Sequence, residues 1–150
     1  MLKLYSKAAE YALIALSYLS LSHWRQRFSL KVLCEKAGLK LSYTRKAFQT
    51  LSNANILLSV TGPGGGYRLA HHPDNISLLE IIRAIDGADA FDQCVLGLPV
   101  CYDGNDCPMH ATWKPLKEKM LQRLDTITLG DIMRFRQDTD KDFSTRLEKM

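Results

Sequence analysis

Residues 29–70 read SLKVLCEKAGLKLSYTRKAFQTLSNANILLSVTGPGGGYRLA, and the fold is decided within them. Ser29 is a good helix N-cap and Gly38 a good terminator, which predicts a short helix over 29–37. The link Gly38-Leu39-Lys40-Leu41 leads to Ser42, expected to cap a third helix that runs to about Asn53 and buries Ala47, Phe48 and Leu51. Two helices joined by a tight glycine-containing turn outline a helix-turn-helix. The β-prone runs 56–61 and 67–70 flank Gly62-Pro63-Gly64-Gly65-Gly66, which reads as a hairpin. A hairpin directly after a helix-turn-helix is a wing.

Upstream, residues 6–22 predict a first helix capped by Ser6, with Tyr11, Ala12, Ala15, Leu16 and Leu19 as its apolar stripe. Downstream, Ser77 and Glu80 form a capping box and Ile76 and Ile81 a hydrophobic staple, opening a fourth helix that ends at Asp86-Gly87. Residues 88–110 are an expected loop, and a loop of that length is usually functional or disordered. A long helix follows from about Thr112 to Leu124, with Pro115 in its first turn and Trp113, Leu116, Met120 and Leu124 on one stripe suited to a helix–helix seam. Thr128 and Asp131 begin a short terminal helix, and the polar tail after Arg136 is expected to fray. The expected architecture is mainly α with a small β-hairpin wing. Its parts are a winged helix-turn-helix at 1–87, a loop at 88–110, helices over 111–133 and a polar tail at 134–150.

Hydrophobic residues make up 46% of the chain, enough for a core. No apolar run approaches the roughly 18 residues of a membrane span. The opening Met-Leu-Lys-Leu-Tyr-Ser lacks the layout of a signal peptide, so a cytoplasmic protein without membrane contact is expected. Charge is unevenly divided: residues 1–72 carry ten Lys and Arg against two Glu, whereas the remainder is net acidic. A basic half that coincides with a helix-turn-helix points to double-stranded DNA.

The second helix of such a motif enters the major groove, with its N-terminal residues toward base edges. Here these are Ser42, Tyr43, Thr44, Arg45 and Lys46. Arg45 or Lys46 can donate to guanine, while Ser42 and Tyr43 suit phosphate. In the wing, Thr61, Gly62, Gly64 and Gly65 allow close approach of backbone to a phosphate or the minor groove.

The loop holds Cys94, Cys101 and Cys107, followed by His110. Clustered thiols in a cytoplasmic chain indicate metal or redox chemistry rather than a disulfide framework. Three thiolates and an imidazole can hold zinc or an iron–sulfur cluster. Gaps of six and five residues are wide for a zinc knuckle and favour the larger cluster; zinc, or no metal, is the alternative. Cys34, between Leu33 and Ala37 in a helical pattern, is expected in the core. No nucleophile–base pair or cofactor loop suggests an enzyme.

These features together resemble the IscR/NsrR type of winged-helix iron–sulfur regulators. The resemblance is carried by Leu41-Ser42-Tyr43, the wing 62–67, the cysteine triplet with His110, Trp113, and Ile127-Thr128-Leu129-Gly130, and it spans about residues 1–133. It implies a homodimer joined through the long C-terminal helix, acting on a pseudo-palindromic operator. It also implies one cluster per subunit, 2Fe–2S favoured over 4Fe–4S, with His110 as fourth ligand in the IscR-like branch. Other branches use a carboxylate from the first helix of the partner subunit, and Glu10 stands at that position. The chain departs from the IscR-like pattern in its longer first cysteine gap, in Arg45-Lys46 where that pattern has a base-reading Glu-Gln pair, and in Thr61 where it has a wing arginine. A different operator sequence is therefore expected.

Overall fold

A computed structural model describes residues 4–98, 104 and 107–148, with side chains through residue 140. Helix α1 (Lys7–Ser17) begins as expected, with Ser6 Oγ accepting from the Ala9 amide at 3.1 Å. Ser6 is itself held by Asp86, which accepts from both its amide and its hydroxyl. The helix stops at Ser17 rather than near residue 22. The Ser17 hydroxyl turns back to the Ile14 carbonyl at 2.6 Å, the next amides make tighter bonds, and a 3-10 turn follows at Leu21–His23.

Helix α2 (Leu30–Ala37) has Ser29 as its N-cap and Gly38 at φ 69° as its terminator. Helix α3 (Leu41–Asn53) buries Thr44, Ala47, Phe48 and Leu51. Strands β1 (Leu57–Val60) and β2 (Gly66–Leu69) pair antiparallel, Leu57 opposite Leu69 and Val60 opposite Gly66. Phe28 adds an isolated rung on the other edge of β2: its amide and carbonyl exchange hydrogen bonds with Tyr67 at 2.8 and 3.0 Å. Phe28, Phe48 and Tyr67 meet with ring centroids 5.8–6.3 Å apart, fastening the wing to α3.

Helix α4 (Leu78–Asp86) starts at Ser77, whose Oγ accepts from the Glu80 amide. It packs against α1, α3 and α5. Helix α5 (His110–Thr126) starts two residues earlier than expected, so Pro115 lies in its second turn and cannot supply the amide that would bond the Ala111 carbonyl. Helix α6 (Leu129–Glu148) is 20 residues long. The short helix and frayed tail expected from the sequence are thus one helix, anchored by buried Leu129 and Met133 and by Arg136, which donates to Ser17 Oγ and Tyr18 Oη. No helix of the described residues is long and apolar enough to cross a membrane.

Thr128 and Asp131 cap α6 reciprocally: the Thr128 amide donates to Asp131 at 2.9 Å and the Asp131 amide to Thr128 Oγ1 at 3.1 Å. The Thr128 amide and the Arg134 guanidinium hold the Asp131 carboxyl below the usual carboxylate range. Because this value is lowered on folding, the cap's ionic contribution is present above the ordinary carboxylate pKa and fades as pH falls through the lowered one. Thr128→Ala is expected to cost about 1 kcal/mol in denaturant unfolding at neutral pH.

Candidate nucleic-acid interface and cysteine loop

The recognition helix starts two residues earlier than the sequence suggests. Lys40, in extended conformation, is the N-cap and makes no side-chain cap bond, so Ser42 lies inside the first turn. The first amides of α3 are therefore uncapped by any side chain, as anion binding requires. Ser42, Tyr43, Arg45 and Lys46 are exposed. Tyr43 stands edge-on to Tyr11, centroids 6.0 Å apart, which limits its sweep. Thr44 is a correction. It is fully buried, its hydroxyl donates to the Lys40 carbonyl at 3.0 Å, and it faces the core rather than a groove.

In the wing, Thr61, Gly62 and Gly64 are exposed and Gly65 is half-buried, its amide closing the turn onto the Gly62 carbonyl at 2.9 Å. Sequence reasoning missed the arginines beside them. Arg25, Arg27 and Arg68 line a solvent-open groove of about 810 Å³ together with Ser59, Val60 and Thr61. Their only sequence signal was the excess of positive charge before residue 73.

In the loop, Cys94 is half-buried within a tight turn. Its sulfur accepts the Leu96 amide at 3.4 Å and its carbonyl the Gly97 amide at 3.0 Å. Cys107 is half-buried just before α5, where its carbonyl accepts the amide of His110, the first residue of that helix. Cys101 lies outside the described residues. Among the described residues, no three His, Cys, Asp or Glu side chains gather at ligating distance. Glu10, on the first turn of α1, pairs with Lys7 at 3.5 Å. Cys34 is buried in the core, 2% exposed, as expected.

Cys94 opens onto a small cleft of about 90 Å³ lined by Leu4, Phe91, Val95, Trp113 and Met120. Trp113 carries the one buried side-chain donor without a partner among the described residues, its indole Nε1. A buried unpaired N–H is costly, and a thiolate or inorganic sulfide is an acceptor that would relieve it. A sulfur already accepting an amide, a wall that is apolar except for Gln93 and Lys117, and an orphaned donor fit an iron–sulfur cluster.

A helix-turn-helix continued by a glycine-rich hairpin, with an exposed basic reading face, defines a winged-helix DNA-binding protein. The chain belongs to the Rrf2 family, described as iron-dependent transcriptional regulators, which it matches over residues 5–134. It is 36% identical over 132 residues to the HTH-type transcriptional regulator IscR of Aliivibrio salmonicida, covering 88% of this chain and 77% of that one. The IscR of Vibrio cholerae is 34% identical over 123 residues, covering 82% and 70%. Among solved structures, CymR, the global cysteine regulator of B. subtilis, superposes with a TM-score of 0.73 at 26% identity, covering 90% of this chain and 98% of its own. T. potens IscR gives 0.70 at 27% identity, covering 92% and 90%. The Aliivibrio and Vibrio relatives are named as transcriptional regulators, a class without enzymatic activity.

Proposed function

We propose that this regulator is a cytoplasmic homodimer that binds a pseudo-palindromic operator and senses redox state, nitric oxide or iron–sulfur supply through a cluster held by Cys94, Cys101 and Cys107. The observation that carries this reading is the buried, unpartnered indole N–H of Trp113, a residue that lines the cleft onto which Cys94 opens. When bound, such a cluster supplies a redox couple and a target for small oxidants. His110 and Glu10 of the partner subunit are the two candidate fourth ligands, and 2Fe–2S is favoured over 4Fe–4S.

The protein's part is to hold the sulfurs and pass on how they are held. Phe91, three residues before Cys94, is buried with Leu78, Leu79 and Ile82 of α4 and Leu124 of α5. Helix α4 in turn packs on α3. A shift of the loop therefore has a packed route to the reading helix. Dimerisation is supported by α5, where Leu116 and Met120 are 57% and 39% exposed on the stripe above Leu124. Two-fold symmetry would set the reading helices one DNA turn, roughly 34 Å, or a multiple of it apart.

Anaerobic purification with iron, sulfide and zinc counts, and light scattering for mass, test the reading. Coloured dimers with iron and sulfide in each subunit are expected. Colourless protein that stays iron-poor after reconstitution, or carries stoichiometric zinc, overturns it in favour of a structural zinc or metal-free loop. Trp113→Phe is a finer test. Losing one donor to a cluster sulfur is worth about 1 kcal/mol, which lowers a one-electron reduction potential by about 40 mV.

A further inference from the structure

We propose that the groove between residues 25–27 and the outer face of the wing is a separate phosphodiester site, gripping the DNA backbone beside the wing. The inference rests on the DNA-binding reading above and adds to it a contact made by Arg25, Arg27 and Arg68.

Hairpin register places the arginines. Strand pairing sets Leu58 opposite Arg68 and Val60 opposite Gly66 on one face, while Leu57 and Leu69 turn to the core on the other. Arg68 is therefore on the outer face, and it is exposed. Gly66 leaves a gap on that face beside it. The Phe28–Tyr67 rung holds the preceding segment against β2, and Arg27 fills the gap. Its Cγ lies 3.6 Å from the place a Gly66 Cβ would take, and its guanidinium 3.0–3.3 Å from that of a Gly64 Cβ. Two wing glycines thus form a trough that carries the Arg27 side chain to the hairpin turn. Arg25 lies over the Trp24 ring, 5.1 Å from its centroid, at the same groove.

Among the described residues these charges are uncompensated. Arg134 bonds Asp74 and Asp131, yet none of the three groove arginines has a carboxylate partner among the described residues. Three like charges facing one groove repel one another, and that arrangement is relieved by a polyanion. The groove is open to solvent along the wing, which suits a passing strand better than an enclosed small anion.

The salt dependence of binding to a random-sequence duplex, followed by fluorescence anisotropy in increasing KCl, tests this without knowledge of the operator. Each lost phosphate contact lowers the magnitude of the slope of log Kobs against log salt by about 0.9. Arg68→Ala and Arg27→Ala are each expected to produce that change, whereas Arg83→Ala, exposed on α4, removes the same charge and leaves the slope in place. Should Arg27→Ala disturb the wing, Arg68→Ala, an exposed side chain, carries the test alone. Slopes equal to that of Arg83→Ala in both variants overturn the groove contact while leaving DNA binding intact. Failure of the unaltered dimer to bind any duplex overturns the DNA-binding reading itself.

Discussion

Cys94→Ala is expected to give a folded, colourless protein with neither iron nor sulfide after anaerobic purification. The thiol is half-buried in the loop and absent from both apolar clusters, so its removal costs little stability. It does remove the one cysteine sulfur among the described residues that opens onto the Trp113 cleft, and two thiolates with one further ligand do not retain a cluster that needs four. Cys101→Ala and Cys107→Ala are expected to behave alike. Cys34→Ala is the control: its thiol is buried among α2 core residues, so colour persists although stability falls. Operator affinity of Cys94→Ala should equal that of the unaltered protein stripped of iron. Both should differ from the loaded form by about 5- to 150-fold, the range of a coupling of ~1–3 kcal/mol. Retained absorbance and iron in Cys94→Ala would reject the ligand assignment. A colourless variant whose affinity matches that of the loaded form would reject the sensing role.

What the sequence made legible was local. Ser6, Ser29 and Ser77 each cap the helix they precede, and Gly38 adopts the left-handed conformation its position suggested. Caps are read within a few residues, so sequence alone finds them. The errors have separate physical causes. Treating residues 42–46 as one contact surface ignored helical phase: Thr44 stands three, four and seven residues before Ala47, Phe48 and Leu51, and shares their buried face. Ser42 looked like a cap, but the extended backbone falls at Lys40, and half-buried Leu41 already belongs to the helix. The polar run after Arg136 lacked an apolar stripe, yet it continues a helix whose first turns are buried against the core. In the site, cysteine type and spacing disclosed the candidate ligands. The cleft beside Cys94 required Trp113 and Phe91 to arrive from opposite ends of the loop. Arg27 was least legible, since only the Phe28–Tyr67 rung brings it to Gly64.

That rung also sets the cost of altering the wing, where the glycines serve different ends. Gly62 has φ 92° with nothing within 4 Å of an added Cβ, so Gly62→Ala meets only backbone strain, about 1–2 kcal/mol. Gly66 lies outside the positive-φ residues, and its constraint is contact: a Cβ there would stand 2.2 Å from the Phe28 carbonyl oxygen. That oxygen accepts the Tyr67 amide at 3.0 Å, so it cannot retreat without opening the rung. Opening it also frees the Phe28 amide from the Tyr67 carbonyl and loosens both rings from Phe48 on the reading helix. Two backbone bonds and disturbed aromatic packing amount to roughly 3 kcal/mol. Gly66→Ala is therefore expected to lower stability more than Gly62→Ala in urea unfolding. It is also expected to weaken duplex binding at all salt concentrations, because the wing and α3 lose their common anchor. If both variants unfold at the same urea concentration, close approach at Gly66 is not what holds the wing, and the groove arginines lose the scaffold that aligns them.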